Sequence, residues 1–259
     1  MERDERERKA YDEDNVWDAS NSWHVRFLHV FTGPNTIRNE VLFETLIRQS
    51  AAGKRVLEIG SGPGITAEQI LSTGAACVLG IDISETFVAD SKKREQPGRL
   101  VFECKSVSEP LEGRYDLIVG RAILHHIDYR EVLHRLLRDN LAPGGRMLFM
   151  EPLGSNVLLR LYWKLARNAH TPDERPFMKD DIRWLEQKFS GLDLHPINLF
   201  SFFAGIVSSK LFSRPDNFLM KACDTLDVWL AAHMKLLIPQ FRQVIIVIRK
   251  EEGEKNPAL

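Results

Sequence analysis

Cysteine is scarce in this chain: Cys77, Cys104 and Cys223 are the whole supply in 259 residues. They stand far apart in no metal-ligand spacing. That argues against a zinc framework or a disulfide scaffold and leaves core thiols in a reducing compartment, two of them inside strand-like runs. An excess of one charge sign is also missing. Thirty-five basic and 36 acidic residues leave a net charge of -1, so no broad basic field draws nucleic acid. No apolar run reaches the roughly 20 residues that a membrane span needs, so stable membrane insertion is not expected. Met1 to Asp14 mixes both charge signs without an apolar centre, unlike a secretory leader, and a cytoplasmic location is expected. Internal repeats and low-complexity tracts are lacking too. With 44% hydrophobic and 27% charged residues, what remains is a globular chain able to bury a sizeable core.

One stretch organises it: Arg55-Val56-Leu57-Glu58-Ile59-Gly60-Ser61-Gly62-Pro63-Gly64. A short apolar run carrying one acid breaks into a glycine-rich turn, and helix-compatible residues follow from Ile65 to Leu71. Strand, tight turn and helix open a doubly wound sheet and let a nucleotide-like ligand approach the backbone. Strand candidates at 55–59, 76–81, 100–104, 115–120 and 145–151 then alternate with helical stretches at 65–72, 84–94 and 129–140. Ser84 is placed to cap the second helix, and Asp128 with Glu131 to form a capping box on the third. The alternation implies a parallel sheet with helices on both faces.

Ahead of this core, Val16 to Arg48 is rich in aromatics (Trp17, Trp23, His24, Phe27, Phe31) and is broken into two helices at Thr32-Gly33-Pro34-Asn35. It reads equally as a cap on the sheet or as a lid over a ligand. Beyond Glu151-Pro152 the alternation stops. A helix is expected over 153–170, a loop from Thr171 to Pro176, a helix from Asp180 to Phe189 and a strand over 192–200. An apolar stretch from Ser201 to Phe241 then leads to a last strand, Gln243 to Arg249.

The glycine turn alone is ambiguous. With Glu58 two residues before Gly60, and with Gly80-Ile81-Asp82-Ile83-Ser84, Tyr115-Asp116-Leu117-Ile118-Val119 and Leu141-Ala142-Pro143-Gly144-Gly145 following, it resembles motif I and its sequel in class I S-adenosylmethionine-dependent methyltransferases of the small-molecule (type 11) kind. The resemblance covers roughly residues 50 to 152. It implies S-adenosyl-L-methionine as cofactor, held by Glu58, Gly60, Ser61, Gly62, Gly64, Asp82, Ile83, Ser106, Val107 and Arg121. The residues agree with it. A carboxylate at Asp82 suits a ribose diol, and Glu58 suits a cationic amino group and sulfonium where a nicotinamide enzyme would set a pyrophosphate. At the corner after the third strand, Ser106 and Val107 depart from the acidic pattern of the family, so a hydroxyl or backbone contact to the adenine is expected.

After the fourth strand comes Gly120-Arg121-Ala122-Ile123-Leu124-His125-His126-Ile127. The Asn/Asp-Pro-Pro-Tyr tetrad of base and glutamine methylases is missing, which disfavours that class. A histidine pair stands where, in the small-molecule enzymes it resembles, the loop borders both donor and acceptor, and either ring can take a proton near neutral pH. His126 ranks ahead of His125 as the catalytic residue. No third group of ligand spacing accompanies them, so no metal is expected. Glu151 reads more simply as a strand end than as a substrate ligand.

The fold implied is α/β: a doubly wound Rossmann-like seven-stranded sheet, parallel with one antiparallel strand, carrying an N-terminal helical lid and helical cap insertions. Its expected parts are a helical arm or lid at 1–48, a cofactor-binding core at 49–152 and insertions with the sixth strand at 153–241 on the substrate side. The last core strand follows at 242–250 and a tail at 251–259. Leu199, Phe200, Phe202, Phe203, Ile206, Val207, Leu211 and Phe212 are expected to roof an acceptor site or to join two copies as a homodimer. The expected reaction is methyl transfer to O or N of a small, apolar or aromatic metabolite. The alternatives are an isoprenoid or lipid-like acceptor, and a non-catalytic cofactor-binding partner protein.

Overall fold

Alternation along the strands decides how the two faces of the sheet are used. In the computed structural model, Val244, Ile246 and Ile248 enter the same core as Leu57 and Ile59. Ile245 and Val247 join Val56 on the other side. A period of two is what an extended backbone imposes, and apolar residues at both phases mark a sheet covered on both faces. The structure describes residues 3–13, 25, 27–165, 171 and 173–251. The segment with Val16, Trp17, Trp23 and His24, the end of the 153–170 stretch, the side chains of 162–165 and the tail beyond Glu251 lie outside the described residues.

Seven strands form one sheet: β1 Arg55–Ile59, β2 Cys77–Asp82, β3 Leu100–Cys104, β4 Tyr115–Arg121, β5 Leu141–Pro152, β6 Leu192–Ile197 and β7 Gln243–Arg249. Their order is β3-β2-β1-β4-β5-β7-β6. The first five pair in parallel, and β7 runs antiparallel to both β5 and β6. The helices are α1 Arg3–Asp12, α2 Leu28–Thr32, α3 Pro34–Ala51, α4 Ile65–Ser72, α5 Glu85–Ser91, α6 Tyr129–Arg135, α7 Val157–Leu165, α8 Lys179–Lys188, α9 Phe200–Leu211 and α10 Phe218–His233. One core takes Val132 and Leu133 of α6 with Ile182 and Leu185 of α8. The other takes Phe43 and Ile47 of α3, Ile70 of α4 and Val88 of α5.

Several local expectations hold, and others are corrected. Ser84 caps α5, its Oγ accepting from the Phe87 N–H at 3.1 Å. Asp128 makes no capping bond, because its backbone (φ -75°, ψ 76°) lacks the extended geometry a cap needs, and α6 passes into a π turn over Leu136–Asn140. Cys104 is exposed rather than buried, since β3 is an edge strand, and Cys77 is half-buried.

The insertion between β6 and β7 is helical, as expected, but it covers a different part of the molecule. Asp227 of α10 accepts the N–H groups of Leu199, Phe200 and Ser201 at 2.8–3.0 Å, which fixes the start of α9. α9 packs on α2, and α10 on α3. Phe202 is buried against Val30 of α2 and Leu159 of α7. The stripe read as an acceptor roof is thus divided among the main core, which takes Leu199, a satellite core around Phe202, and the exposed Phe200, Val207 and Leu211.

Candidate active site

The carboxyl ends of β1 to β4 open into a cavity of about 400 Å³. Open α/β sheets bind ligands at this edge, and the volume lies in the range of small-ligand sites. The glycine turn, the end of β3 and the segment 121–127 form its walls, while Asp4, Glu7 and Tyr11 of α1 cover it.

The turn after β1 is shaped by Asp82. The Gly62 N–H donates to Asp82 Oδ2 at 2.8 Å and the Ser84 N–H to Oδ1 at 2.9 Å. Gly62 sits at φ +51°, a left-handed conformation that aims its N–H inward. Burial raises the Asp82 carboxyl above its ordinary range, against the pull of those N–H groups. Glu58 is buried more deeply. Desolvation first, then the neighbouring Asp82, push it up to about 8, with Arg121 and an Ala67 N–H working against them.

Two polar atoms here, Glu58 Oε2 and Ser61 Oγ, are buried without a hydrogen-bond partner among the described residues. An unpaired buried acceptor is costly unless a ligand supplies a donor. Both residues line the cavity, and a cationic amino group, such as that of S-adenosylmethionine, is a donor of the kind these atoms lack.

Across the cavity the chain leaves β4 through Ala122, at φ +51°, a strained position for a residue with a side chain. Glu151, fully buried in β5, holds that turn in place. Its Oε1 accepts from the Ile123 and Leu124 N–H groups at 3.0 and 2.9 Å, and its Oε2 lies 2.7 Å from His125 Nδ1. The reading of Glu151 as a strand end is therefore corrected: it orients the first histidine. His125 Nε2 lies 3.2 Å from Glu174 Oε1. Burial opposes a charge on this ring, but the two carboxylates overcome it and raise His125 to about 9. His126 instead faces α1, with Nδ1 3.0 Å from Glu7 Oε2 and Nε2 3.4 Å from the Tyr11 hydroxyl. A third metal-type ligand does stand beside the pair, contrary to expectation. Glu174 brings a carboxylate to within 4.8 Å of both rings' ligand nitrogens.

Residues 35–194 match the profile of the family described as a methyltransferase domain. The chain belongs to the methyltransferase-domain family. Its seven-stranded sheet has the Rossmann-like fold of class I S-adenosylmethionine-dependent methyltransferases. It is 32% identical over 155 residues to a highly reducing polyketide synthase of Purpureocillium lilacinum, covering 51% of this chain and 6% of that longer protein. It is 30% identical over 170 residues to a ubiquinone biosynthesis O-methyltransferase of Pseudomonas aeruginosa, covering 58% of this chain and 69% of the relative. In fold it is similar to a phosphoethanolamine N-methyltransferase of Haemonchus contortus in complex with phosphomonomethylethanolamine and S-adenosylhomocysteine. There the TM-score is 0.59 at 16% identity, over 94% of this chain and 58% of the other.

In this methyltransferase Glu58, Gly60, Ser61, Gly62, Asp82, Ile83, Ser106, Val107, Arg121, His125 and His126 all line one cavity, as read from the sequence. Gly64 does not. It sits behind the turn at φ +82°, where an added Cβ would meet Phe102 Cζ at 2.6 Å and Ser91 Cβ at 2.8 Å. Arg121 reaches the cavity, but its guanidinium pairs with Glu40 of α3 at 2.7 Å and stacks over Phe43. Among the lining residues that sequence reasoning missed are Asp4, Glu7, Tyr11, Phe87, Lys105 and Glu174. Of 153–241, only Glu174 lines the cavity among the described residues.

Proposed function

We propose that this methyltransferase moves a methyl group from S-adenosylmethionine to O or N of a small, apolar or aromatic acceptor, with His125 taking the acceptor's proton. The buried His125–Glu151 pair carries this reading. Glu151 fixes the ring by its Nδ1 at 2.7 Å, which leaves Nε2 as the atom that exchanges a proton on the cavity side. Bound beside it, the donor supplies a methyl group on a sulfonium, transferred by a displacement that asks chiefly for alignment and exclusion of water. A base raised to about 9 matches a hydroxyl of phenolic or enolic acidity, near 10, better than an alkyl alcohol. This ranks His125 ahead of His126, with Glu151 as its positioning residue. Glu174, now on Nε2, gives way to the acceptor. Glu58 and Ser61 receive the amino group, Asp82 the ribose, and α1 with Glu174 acts as the lid.

A second reading, an isoprenoid or lipid-like acceptor met at a membrane surface, is favoured by apolar residues left exposed on α7, α9, α10 and the turn after them. Leu158, Leu161, Leu211, Phe218 and Leu236 are the chief ones. The same exposed residues would serve a homodimer, and the unpaired cysteines support a cytoplasmic location. No helix among the described residues is long and apolar enough to cross a membrane.

Calorimetry with S-adenosylmethionine and S-adenosylhomocysteine tests the donor, and binding of neither refutes it. Turnover is then followed on panels of phenols, amines and prenylated quinols. Binding without turnover on any panel favours the non-catalytic alternative.

A further inference from the structure

Resting on the donor reading above, we propose that Asp4 of α1 recognises the adenine amino group of the donor. The N-terminal helix is then part of the cofactor site as well as its cover.

The order of the strands sets the direction in which the donor lies. Glu58 on β1 receives the amino-acid end, Asp82 at the end of β2 receives the ribose, and the next strand outward is β3. Lys105, Ser106 and Val107, just past β3, line the same cavity, so the base lies against them. Adenine presents an exocyclic amine that donates, and the site must offer it an acceptor. Val107 is apolar and Lys105 is a donor. The Ser106 hydroxyl is already engaged, donating to Asp4 Oδ2 and accepting from the Ser108 N–H at 3.0 Å. Asp4 has a second carboxylate oxygen, Oδ1, and among the described residues it makes no other bond. A carboxylate oxygen fixed by a hydroxyl at the end of β3 is the acceptor that the amine requires.

The helix that carries Asp4 is pinned at its far end as well. Asp12 Oδ1 accepts from the Ser84 hydroxyl at 2.5 Å and from the Thr86 N–H at 3.3 Å, at the start of α5. α1 thus spans the adenosine half of the cavity between two carboxylate–hydroxyl contacts. Asp4 lies outside the 35–194 segment that defines the family, so the family pattern does not assign it.

The test is calorimetry on the whole protein with S-adenosylhomocysteine and S-inosylhomocysteine. In the second ligand a carbonyl replaces the amine and the adjacent ring nitrogen carries a proton. The native protein is expected to prefer the adenosine compound by roughly tenfold or more, since a site built for a donor rejects an acceptor. Asp4→Asn keeps the shape and offers an N–H to the carbonyl, so the preference should shrink to about threefold or less, or invert. Asp12→Ala loosens the other end of α1 and should weaken both ligands alike. An unchanged preference in Asp4→Asn overturns the assignment. So does a preference lost as fully in Asp12→Ala, because docking of the helix would then account for it. If the native protein binds neither compound, the donor reading itself fails and Asp4 falls with it.

Discussion

His125 lies between two carboxylates, and that fixes the direction in which its chemistry depends on pH. With the ring raised to about 9, it is protonated in the resting protein at neutral pH, so kcat/KM should climb as pH rises toward 9. Glu174→Gln removes one of the groups that raise it and should move the limb to lower pH. His125→Asn should cost about 10² to 10⁴ in kcat/KM. A profile flat from pH 6 to 9 dismisses His125 as the base.

Glu58 makes an independent prediction. It is raised to about 8, and a cationic donor favours its ionised form, so binding at neutral pH should expel a proton. Donor affinity should rise by up to about tenfold per pH unit below 8 and level off above it, a slope that Glu58→Gln abolishes. Binding enthalpies that do not vary with the ionisation heat of the buffer would contradict the proton release. The meeting of Glu58, Asp82, Gly60 and Gly62 at one cavity was legible in the sequence because it is set by the local order of strand, turn and strand. The settings of the histidines were not. Their partners Glu151, Glu174 and Glu7 stand 26, 49 and 119 positions away, and no local pattern announces a contact made only by folding.

At the scale of the element, the glycine turn shows how one motif divides its labour. Gly62 serves the ligand side by pointing an N–H at Asp82, and Gly64 serves the packing of α4 against β3. Gly64→Ala should therefore destabilise the fold by about 1–3 kcal/mol, through positive φ and overlap with Phe102, before it disturbs the ligand directly. Thermal melts of the free protein measure this, and a melting temperature within error of the native value would disprove it. The seven strands were readable because a sheet covered on both faces demands apolar runs. The insertions were readable as helices but not as to their address. An apolar face records that something is covered, and Phe202 happens to cover Leu159 and Val30 in place of a ligand. Within the 1–48 arm expected as a lid, Asp4, Glu7 and Asp12 of α1 find buried or half-buried partners that its mixed charges did not announce.

For the whole molecule, the two raised groups act on stability in the same direction. Each has a folded pKa above its ordinary value, from 4.5 to about 8 for Glu58 and from 6.5 to about 9 for His125. A group of this kind binds more protons in the folded state. Its contribution is complete below the ordinary value and is lost as pH climbs to the folded one. The free protein should accordingly lose stability steadily between about pH 4.5 and 9, with no compensating gain from these two sites. Donor binding runs the other way, because the ionised Glu58 that weakens the free fold is the form that holds a cation. Stabilisation by ligand grows with its concentration relative to Kd, so a fixed excess of S-adenosylhomocysteine should raise the melting temperature more at pH 8.5 than at pH 6.5. In Glu58→Gln the difference between the two pH values should nearly vanish, and the free variant should lose less stability on the alkaline side. A ligand-induced shift larger at pH 6.5 than at pH 8.5 in the native protein would show that Glu58 does not meet the cation. The orphaned oxygen on β1 would then need another partner.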